Sequence, residues 1–270
     1  MSEHFDAAWL ALREPVDHAA RPGSLVEALC SHWTAAGMGG RRRVVDLGSG
    51  TGSNLRYLAP RLARCGEQDW TLVDHDEGLL AQGCAPCAGV VVQLAQADLA
   101  AGERVVPRGC DLVTGSALLD LVSRAWLEEL LEGCRTAGAA VLFALSYDGQ
   151  VHWSDPDPED SRVLDAVNRH QRGDKGWGAA LGPDATTACV QGLQTRGYRV
   201  SQAASPWTID HRRVALGQEL VRGWVEAALA VEPERATRLR AWGERRIRAL
   251  MAGQVTVTVG HQDVLGLPGG

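Results

Sequence analysis

The stretch Val44 to Ser53, VVDLGSGTGS, constrains the fold more than any other part of the chain. Val44 and Val45 end an apolar run too short for a helix, and glycines at 48, 50 and 52 then turn the chain sharply, which predicts a buried strand entering a tight loop. From Asn54 the apolar residues Leu55, Leu58, Ala59 and Leu62 recur at helical spacing, so a helix with one face on a sheet should follow. Strand, glycine turn and helix form a nucleotide-site geometry. Glycines let a ligand approach the main chain, and the helix N-terminus presents unpaired N–H groups beside it.

The spacing narrows the nucleotide. A dinucleotide fingerprint reads G-x-G-x-x-G, whereas here the third glycine comes one residue early and Ser53 stands where that pattern wants Gly. Asp46 lies two residues before the first glycine. The segment resembles motif I of the class I S-adenosylmethionine (SAM)-dependent methyltransferases, where D/E-x-G-x-G-x-G embraces the methionine part of the cofactor. The resemblance makes Asp46, Gly48, Ser49, Gly50, Thr51, Gly52 and Asn54 cofactor-binding candidates.

Two further apolar runs support it. Trp70 to Asp74 ends on an acid about twenty residues past the glycines, which in a doubly wound sheet puts a carboxylate where it can accept both ribose hydroxyls. Asp76 competes for that role, but Asp74 directly follows the strand and leaves His75 to lie against the adenine. Val90 to Ala97 reads as the third strand and leads into Asp98-Leu99. In the resembling family an acid here accepts the adenine amino group and the next backbone N–H meets a ring nitrogen; taken alone, Asp98 is equally a turn aspartate. Cys110 to Gly115 reads as strand four, Ser116 follows at the cofactor edge, a helix spans Arg124 to Cys134, and Ala139 to Leu145 is strand five. Base-methylating relatives usually carry N/D-P-P-Y/F/W after strand four; Gly115-Ser116-Ala117-Leu118 does not match, which argues against a nucleobase substrate.

Length and charge set the class. A chain of 270 residues suits one α/β domain with additions, and a formal charge of -6 without a Lys/Arg cluster interleaved with aromatics gives no pull toward nucleic acid. Residues 1 to 30 lack a basic stretch followed by an apolar one, and no apolar run nears the roughly 20 residues needed to cross a bilayer. The expectation is a cytoplasmic protein without membrane partners. The cysteines are odd in number and scattered, as suits reduced thiols; Cys84-Ala-Pro-Cys87 has no second CxxC or HxxxH beside it, so no metal is expected.

The flanks carry the open questions. Residues 5 to 36 read as two helices, with Pro15 at a helix start and Arg13, Asp17 and Arg21 on one face. That pattern is either a surface salt-bridge ladder or part of a lid, spanning 1–40, whose Arg13 meets a carboxylate of cofactor or acceptor. Tyr147-Asp148-Gly149 is expected to leave strand five on the ligand side, opening a cap insertion at about 147–182 within a methyltransferase domain of 41–270. Asp157 reads as the N-cap of a helix with Pro158 at its first position, running through Val163, Val167 and His170. His170, His152 and Asp120 are the candidate bases, and Tyr147, Trp153, Gln171, Lys175 and Trp177 the candidate acceptor contacts. Core packing is the plainer explanation for each His and Trp on an apolar face.

Pro183 to Arg196 reads as a helix, Tyr198 to Ile209 and Val255 to Val259 as the last two strands, and Leu216 to Val231 and Pro233 to Met251 as a helical insertion at about 213–252 between them. The arginines from Arg235 to Arg248 read as a solvated face. The fold implied is α/β, a Rossmann-like seven-stranded methyltransferase sheet of order 3-2-1-4-5-7-6 with N-terminal helices, a cap after strand 5 and a helical pair before the last strand. The resemblance implies SAM as cofactor, S-adenosylhomocysteine (SAH) as product, and methyl transfer to an O or N atom of a small molecule, with a homodimer as one assembly. The same cofactor residues would also serve a SAM enzyme with other chemistry or a non-catalytic SAM-binding subunit.

Overall fold

The computed structural model of the protein describes residues 6–37, 40–83, 88–101 and 106–269. In chain order its elements are α1 (Ala7–Ala20), α2 (Gly23–Ala35), β1 (Arg42–Leu47), α3 (Ser53–Leu62), β2 (Gln68–Asp74), α4 (Glu77–Leu80), β3 (Val90–Gln96), β4 (Leu112–Ser116), α5 (Arg124–Ala137), β5 (Ala140–Trp153), α6 (Asp160–Gln171), α7 (Ala185–Thr195), β6 (Arg199–Ala204), β7 (Trp207–Ile209), α8 (Val214–Val231), α9 (Ala236–Met251) and β8 (Val257–Leu267). Cys84 and Cys87 lie outside the described residues.

Alternation along the central strands assigns each side chain to a layer. Val44, Leu112 and Leu142 pack with α2 and α3, while Val45, Leu47, Val113 and Phe143 pack on the opposite face with α5 and α7. Strands β1 to β5 are parallel, and β8 inserts antiparallel between β5 and β6, so the order is β3-β2-β1-β4-β5-β8-β6. With β8 as the seventh strand this is 3-2-1-4-5-7-6. The eighth strand arises because the expected run Tyr198 to Ile209 breaks at Ser205-Pro206, where proline has no N–H for the ladder, and resumes as β7 on β8.

Strand β5 departs most from the sequence expectation. It spans 14 residues and ends at Trp153, with register shifts against β8 between Phe143 and Ser146 and between Tyr147 and Val151. Leu145 (φ 55°) and Gly149 (φ 82°) take up the backbone change at these irregularities. Tyr147-Asp148-Gly149 therefore stays in the sheet instead of opening a loop. Beyond the shifts, β5, β7 and the first half of β8 form an antiparallel ribbon, on which Val163 and Val167 of α6, Leu216 and Val221 of α8 and Leu239 and Trp242 of α9 are buried.

The helical pair lies where expected, as α8 and α9, but the start of α6 and the arginines of α9 differ from expectation. Helix α6 begins at Asp160, not beside Asp157; the Asp157 carboxylate instead accepts the Glu159 N–H at 3.0 Å. The arginines of α9 do not form a solvated face throughout: Arg246 is buried, bonds Asp160 through Nε (3.0 Å) and Nη2, and lies 4.3 Å from the Trp153 ring centroid. Arg245 pairs with Asp157 at 2.8 Å and Arg235 with Glu159 at 2.7 Å, so the helical pair is clamped to α6. Pro15 sits inside α1, which starts at Ala7 because Asp6 caps it by accepting the Trp9 N–H at 2.7 Å. No helix among the described residues is long and apolar enough to cross a membrane.

Candidate active site

A cavity of about 480 Å³ opens at the carboxyl edge of the parallel strands. This lies within the size range of small-ligand sites. Its walls bring together the glycine turn (Gly48, Ser49, Gly50, Thr51), the acids Asp74 and Asp98, the end of β4 (Ser116, Ala117, Leu118), residues of α1 (Leu10, Arg13, Asp17) and the loop Lys175-Gly176-Trp177.

The turn is shaped for a ligand at its main chain. Gly48, Gly50 and Gly52 have φ of 61°, 51° and 78°, the left-handed region that side chains with a Cβ rarely enter. A Cβ on Gly52 would also sit 2.4 Å from the Gly83 carbonyl oxygen. The turn is fixed from behind: Ser49 N–H donates to the Val73 carbonyl at 3.1 Å and Gly50 N–H to Asp74 Oδ2 at 2.7 Å.

Asp46 does not reach the cavity. It is fully buried beneath the turn, where Asn54 Nδ2 donates to its Oδ1 at 2.7 Å; Asn54 Nδ2 also reaches Thr114 Oγ1 at 3.1 Å and its Oδ1 accepts from Arg21 Nη1 at 2.7 Å. Burial pushes the Asp46 carboxyl up to about 7, against the Asn54 hydrogen bond and the Arg21 charge, which favour the ionised form. Arg21 is itself buried, 4.1 Å from the Tyr57 ring centroid and 3.6 Å from Asp263 Oδ2. Asp263 Oδ1 accepts the Leu145 N–H (2.9 Å) and Ser205 hydroxyl (2.5 Å), so one polar network ties α1, the glycine turn, β5 and β8.

Asp74 and Asp98 face the same space. Asp74 Oδ1 accepts the Asp76 N–H at 3.0 Å and Oδ2 accepts Gly50, which orients the carboxylate and leaves lone pairs free for two more donors. Asp76 is occupied as the cap of α4, accepting the Leu79 N–H at 3.0 Å, although it also borders the cavity. His75 is exposed at the rim, its Nδ1 3.3 Å from Asp74. Asp98 makes the turn bond its position suggests, accepting Ala100 N–H at 2.9 Å, while also lining the cavity beside Leu99.

Helix α1 forms one wall of the cavity. Arg13 Nε donates to Asp17 Oδ2 at 2.8 Å, and both side chains are mostly buried against the cavity, so the pair is not a surface ladder. Two contacts invisible in the sequence pattern fasten the helix to the turn: Arg56 bonds Glu14 through Nε (2.6 Å) and Nη2 (2.5 Å), and His18 Nε2 lies 3.0 Å from the Ser53 carbonyl oxygen. Hydrogen bonding to Arg56 holds the Glu14 carboxyl below its usual range. Helix α2 instead buries Leu25, Leu29 and Trp33 in the sheet core, and none of its residues lines this cavity.

The acceptor candidates separate into three places. Lys175 and Trp177 line the cavity, and His170 Nδ1 lies 3.4 Å behind the Lys175 Nζ. Tyr147, Asp120 and Gln171 do not border it; Tyr147 is buried against His261 and donates its hydroxyl to Asn168 at 2.9 Å. His152 and Trp153 are elsewhere altogether, at the outer end of β5 beside a second cavity, because β5 continues where a loop was expected to fold back.

The strand order, the glycine turn between β1 and α3 and the acids after β2 and β3 settle the architecture. The strand order is that of a Rossmann-like methyltransferase sheet. No protein-family model and no curated protein matches the sequence. Similar solved structures include the mycolic acid cyclopropane synthase CmaA1 complexed with SAH and CTAB, at 10% identity over 87% of this chain and 82% of that one, with a TM-score of 0.48. The cyclopropane synthase MmaA2 from Mycobacterium tuberculosis aligns at 9% identity over 89% and 82%, TM-score 0.47. A SAM-dependent methyltransferase from Geobacter sulfurreducens in complex with SAH aligns at 16% identity over 93% and 92%, TM-score 0.44.

Proposed function

We propose that this protein binds SAM in the cavity of about 480 Å³ and transfers its methyl group to an O or N atom of a small-molecule acceptor. The observation that carries the proposal is that the glycine turn, Asp74 and Asp98 line one cavity. The donor set suits an adenosyl amino acid. Asp74 has lone pairs for the ribose hydroxyls, His75 and Leu99 flank the position of a purine, and Asp98 would accept its amino group. Arg13 keeps N–H donors beyond the one given to Asp17 and would meet the carboxylate, while Ser49 Oγ is buried in the cavity wall without a hydrogen-bond partner among the described residues. The net charge of -6 and the walled cavity favour a small acceptor over a nucleic-acid one.

When bound, SAM supplies an already activated methyl group. What remains for the chain is to hold the acceptor in line and exclude water, and such positioning contributes on the order of 7–11 kcal/mol. Leu118 and Trp177 provide apolar walls near the end of β4, and α1 forms another wall. Lys175, with His170 behind it, is the group placed to orient an acceptor or relay its proton. His152 and Trp153 have no part in the transfer on this account.

Calorimetric titration with SAM, SAH and NADH tests the cofactor. Binding of the first two and not the third is expected; NADH binding with no response to SAH would overturn the proposal. Once an acceptor is found, a product heavier by one methylene identifies methyl transfer, and any other mass change points to different SAM chemistry.

A further inference from the structure

The second cavity, of about 270 Å³, shares no lining residue with the first. It sits where the outer end of β5 meets α6, α8 and α9. Its floor is Trp153, Trp224 and Trp242, with Val163 and Leu164 beside them, and Trp153 meets the two other indoles edge to face, with centroids 6.2 and 6.3 Å apart. His152 and Ser161, both exposed, stand at the rim.

This space is poorly suited to water. Water entering from the open rim meets mostly apolar surface, the three indoles with Val163 and Leu164. The polar groups near the floor are already engaged: the Trp242 indole N–H donates to Asp160 Oδ1 at 2.8 Å, and both Asp160 oxygens bond Arg246. An apolar cavity of about 150 Å³ accommodates benzene, so this one has room for two fused rings.

Charge decides between the ligands an aromatic floor attracts. Indole faces and a carboxylate would ordinarily draw a cation. Here Arg246 already occupies that role, buried, paired with Asp160 and 4.3 Å from the Trp153 centroid, so a second cation meets a positive charge rather than a free anion.

We propose that the cavity between β5, α6, α8 and α9 is a second ligand site, separate from the cofactor cavity, that takes a flat, uncharged aromatic molecule of about two rings with one hydrogen-bonding group. The rings lie against Trp153, Trp224 and Trp242, and the polar group faces His152 and Ser161 at the rim. Ion pairs join its walls: Arg246 of α9 with Asp160 of α6, and Arg245 of α9 with Asp157 in the turn before α6.

The test is calorimetry of the full chain with 2-naphthol as probe and benzyltrimethylammonium as the cationic control, each with and without saturating SAH. One equivalent of 2-naphthol should bind with a dissociation constant below a millimolar, unchanged within twofold by SAH, and the cation should bind at least tenfold more weakly. Leu164→Trp, which fills the cavity, should weaken 2-naphthol at least tenfold while SAH affinity stays within twofold; Ser161→Trp, at the exposed rim, serves if Leu164→Trp fails to fold. Absence of 2-naphthol binding, its loss on adding SAH, equal binding of the cation, or indifference to the filling variant would each overturn the proposal. SAH affinity is read separately, so failure here is distinguishable from failure of the cofactor assignment.

Discussion

The backbone of the glycine turn is fixed by contacts of shorter range than the walls of the cap. Around the glycine turn, Asn54 bonds Asp46 eight residues away and Gly50 bonds Asp74 at a separation of 24. In the cap, Arg246 reaches Asp160 across 86 residues, and Arg235 reaches Glu159 across 76. The short-range half places backbone turns and a few acids at strand ends, where ligand chemistry is set by the sheet. The long-range half uses buried ion pairs and indoles to build walls on an extension of β5 and β8. The two should therefore fail separately: damage to one spares the function of the other.

The largest effect expected is on the cofactor side. On the proposed binding mode Asp74→Ala removes the acceptor for two ribose hydroxyls, and at about 1.5–3 kcal/mol for each charge-assisted bond SAH should bind at least about a hundredfold more weakly. Calorimetry checks this, and affinity within tenfold of wild type would remove Asp74 from the site.

Arg246→Met probes the cap. It leaves the partly buried Asp160 without its main cation, and removing the partner of such a hydrogen-bonded charge costs about 3 kcal/mol. Thermal or urea unfolding should show that loss while SAH affinity stays within twofold; a parallel fall in SAH affinity would show that the halves are coupled.

Asp46→Asn addresses the network joining them. In the folded protein the Asp46 carboxyl is raised from 3.8 to about 7, so it takes up a proton that the unfolded chain has released. Its contribution to stability is full below about pH 4 and is lost as pH rises toward 7. His261 acts in the opposite sense: burial, reinforced by Arg13, lowers it to about 3, so its contribution is present above 6.5 and lost as pH falls. The informative quantity is the difference between wild type and variant. Between pH 4 and 7.5 wild type should lose about 3–4 kcal/mol relative to Asp46→Asn, measured by urea unfolding of the SAM-free protein. A difference that does not change with pH would place Asp46 in its ordinary ionised state.

Asp98→Ala should have the smallest effect, weakening SAH about tenfold, because Asp98 is exposed and its bond competes with water. No change at all would leave Asp98 with only its turn bond to Ala100.

The same difference in range explains what the sequence made legible. Asp74, Asp98 and the three glycines could be placed from sequence because strand ends and positive-φ turns are local decisions, and the parallel order follows from them. Arg246 could not be told from its solvated neighbours, since its carboxylate partner lies on another helix far along the chain. The run from Arg13 to Arg21 showed the right face, but the spacing alone carried no sign that Asp17 and Arg21 are buried. His18 and Glu14 gave no signal, because their partners Ser53 and Arg56 become neighbours only once α1 lies over the turn. Strand β5 was cut short at Leu145 because apolar alternation gives way there to Ser146, Asp148 and Gly149, residues that serve the irregular register with β8. The strand's end at Trp153 places His152 and Trp153 beside the second cavity, away from the first.

The most direct measurement is a crystal structure of the protein with SAH. The ribose hydroxyls should lie within hydrogen-bond reach of Asp74, the purine beside His75 and Leu99 with its amino group toward Asp98, and the amino-acid end along Gly48 to Gly50 facing Arg13. SAH bound with its adenosine away from Asp74 and Asp98, or seated among Trp153, Trp224 and Trp242, would contradict the account.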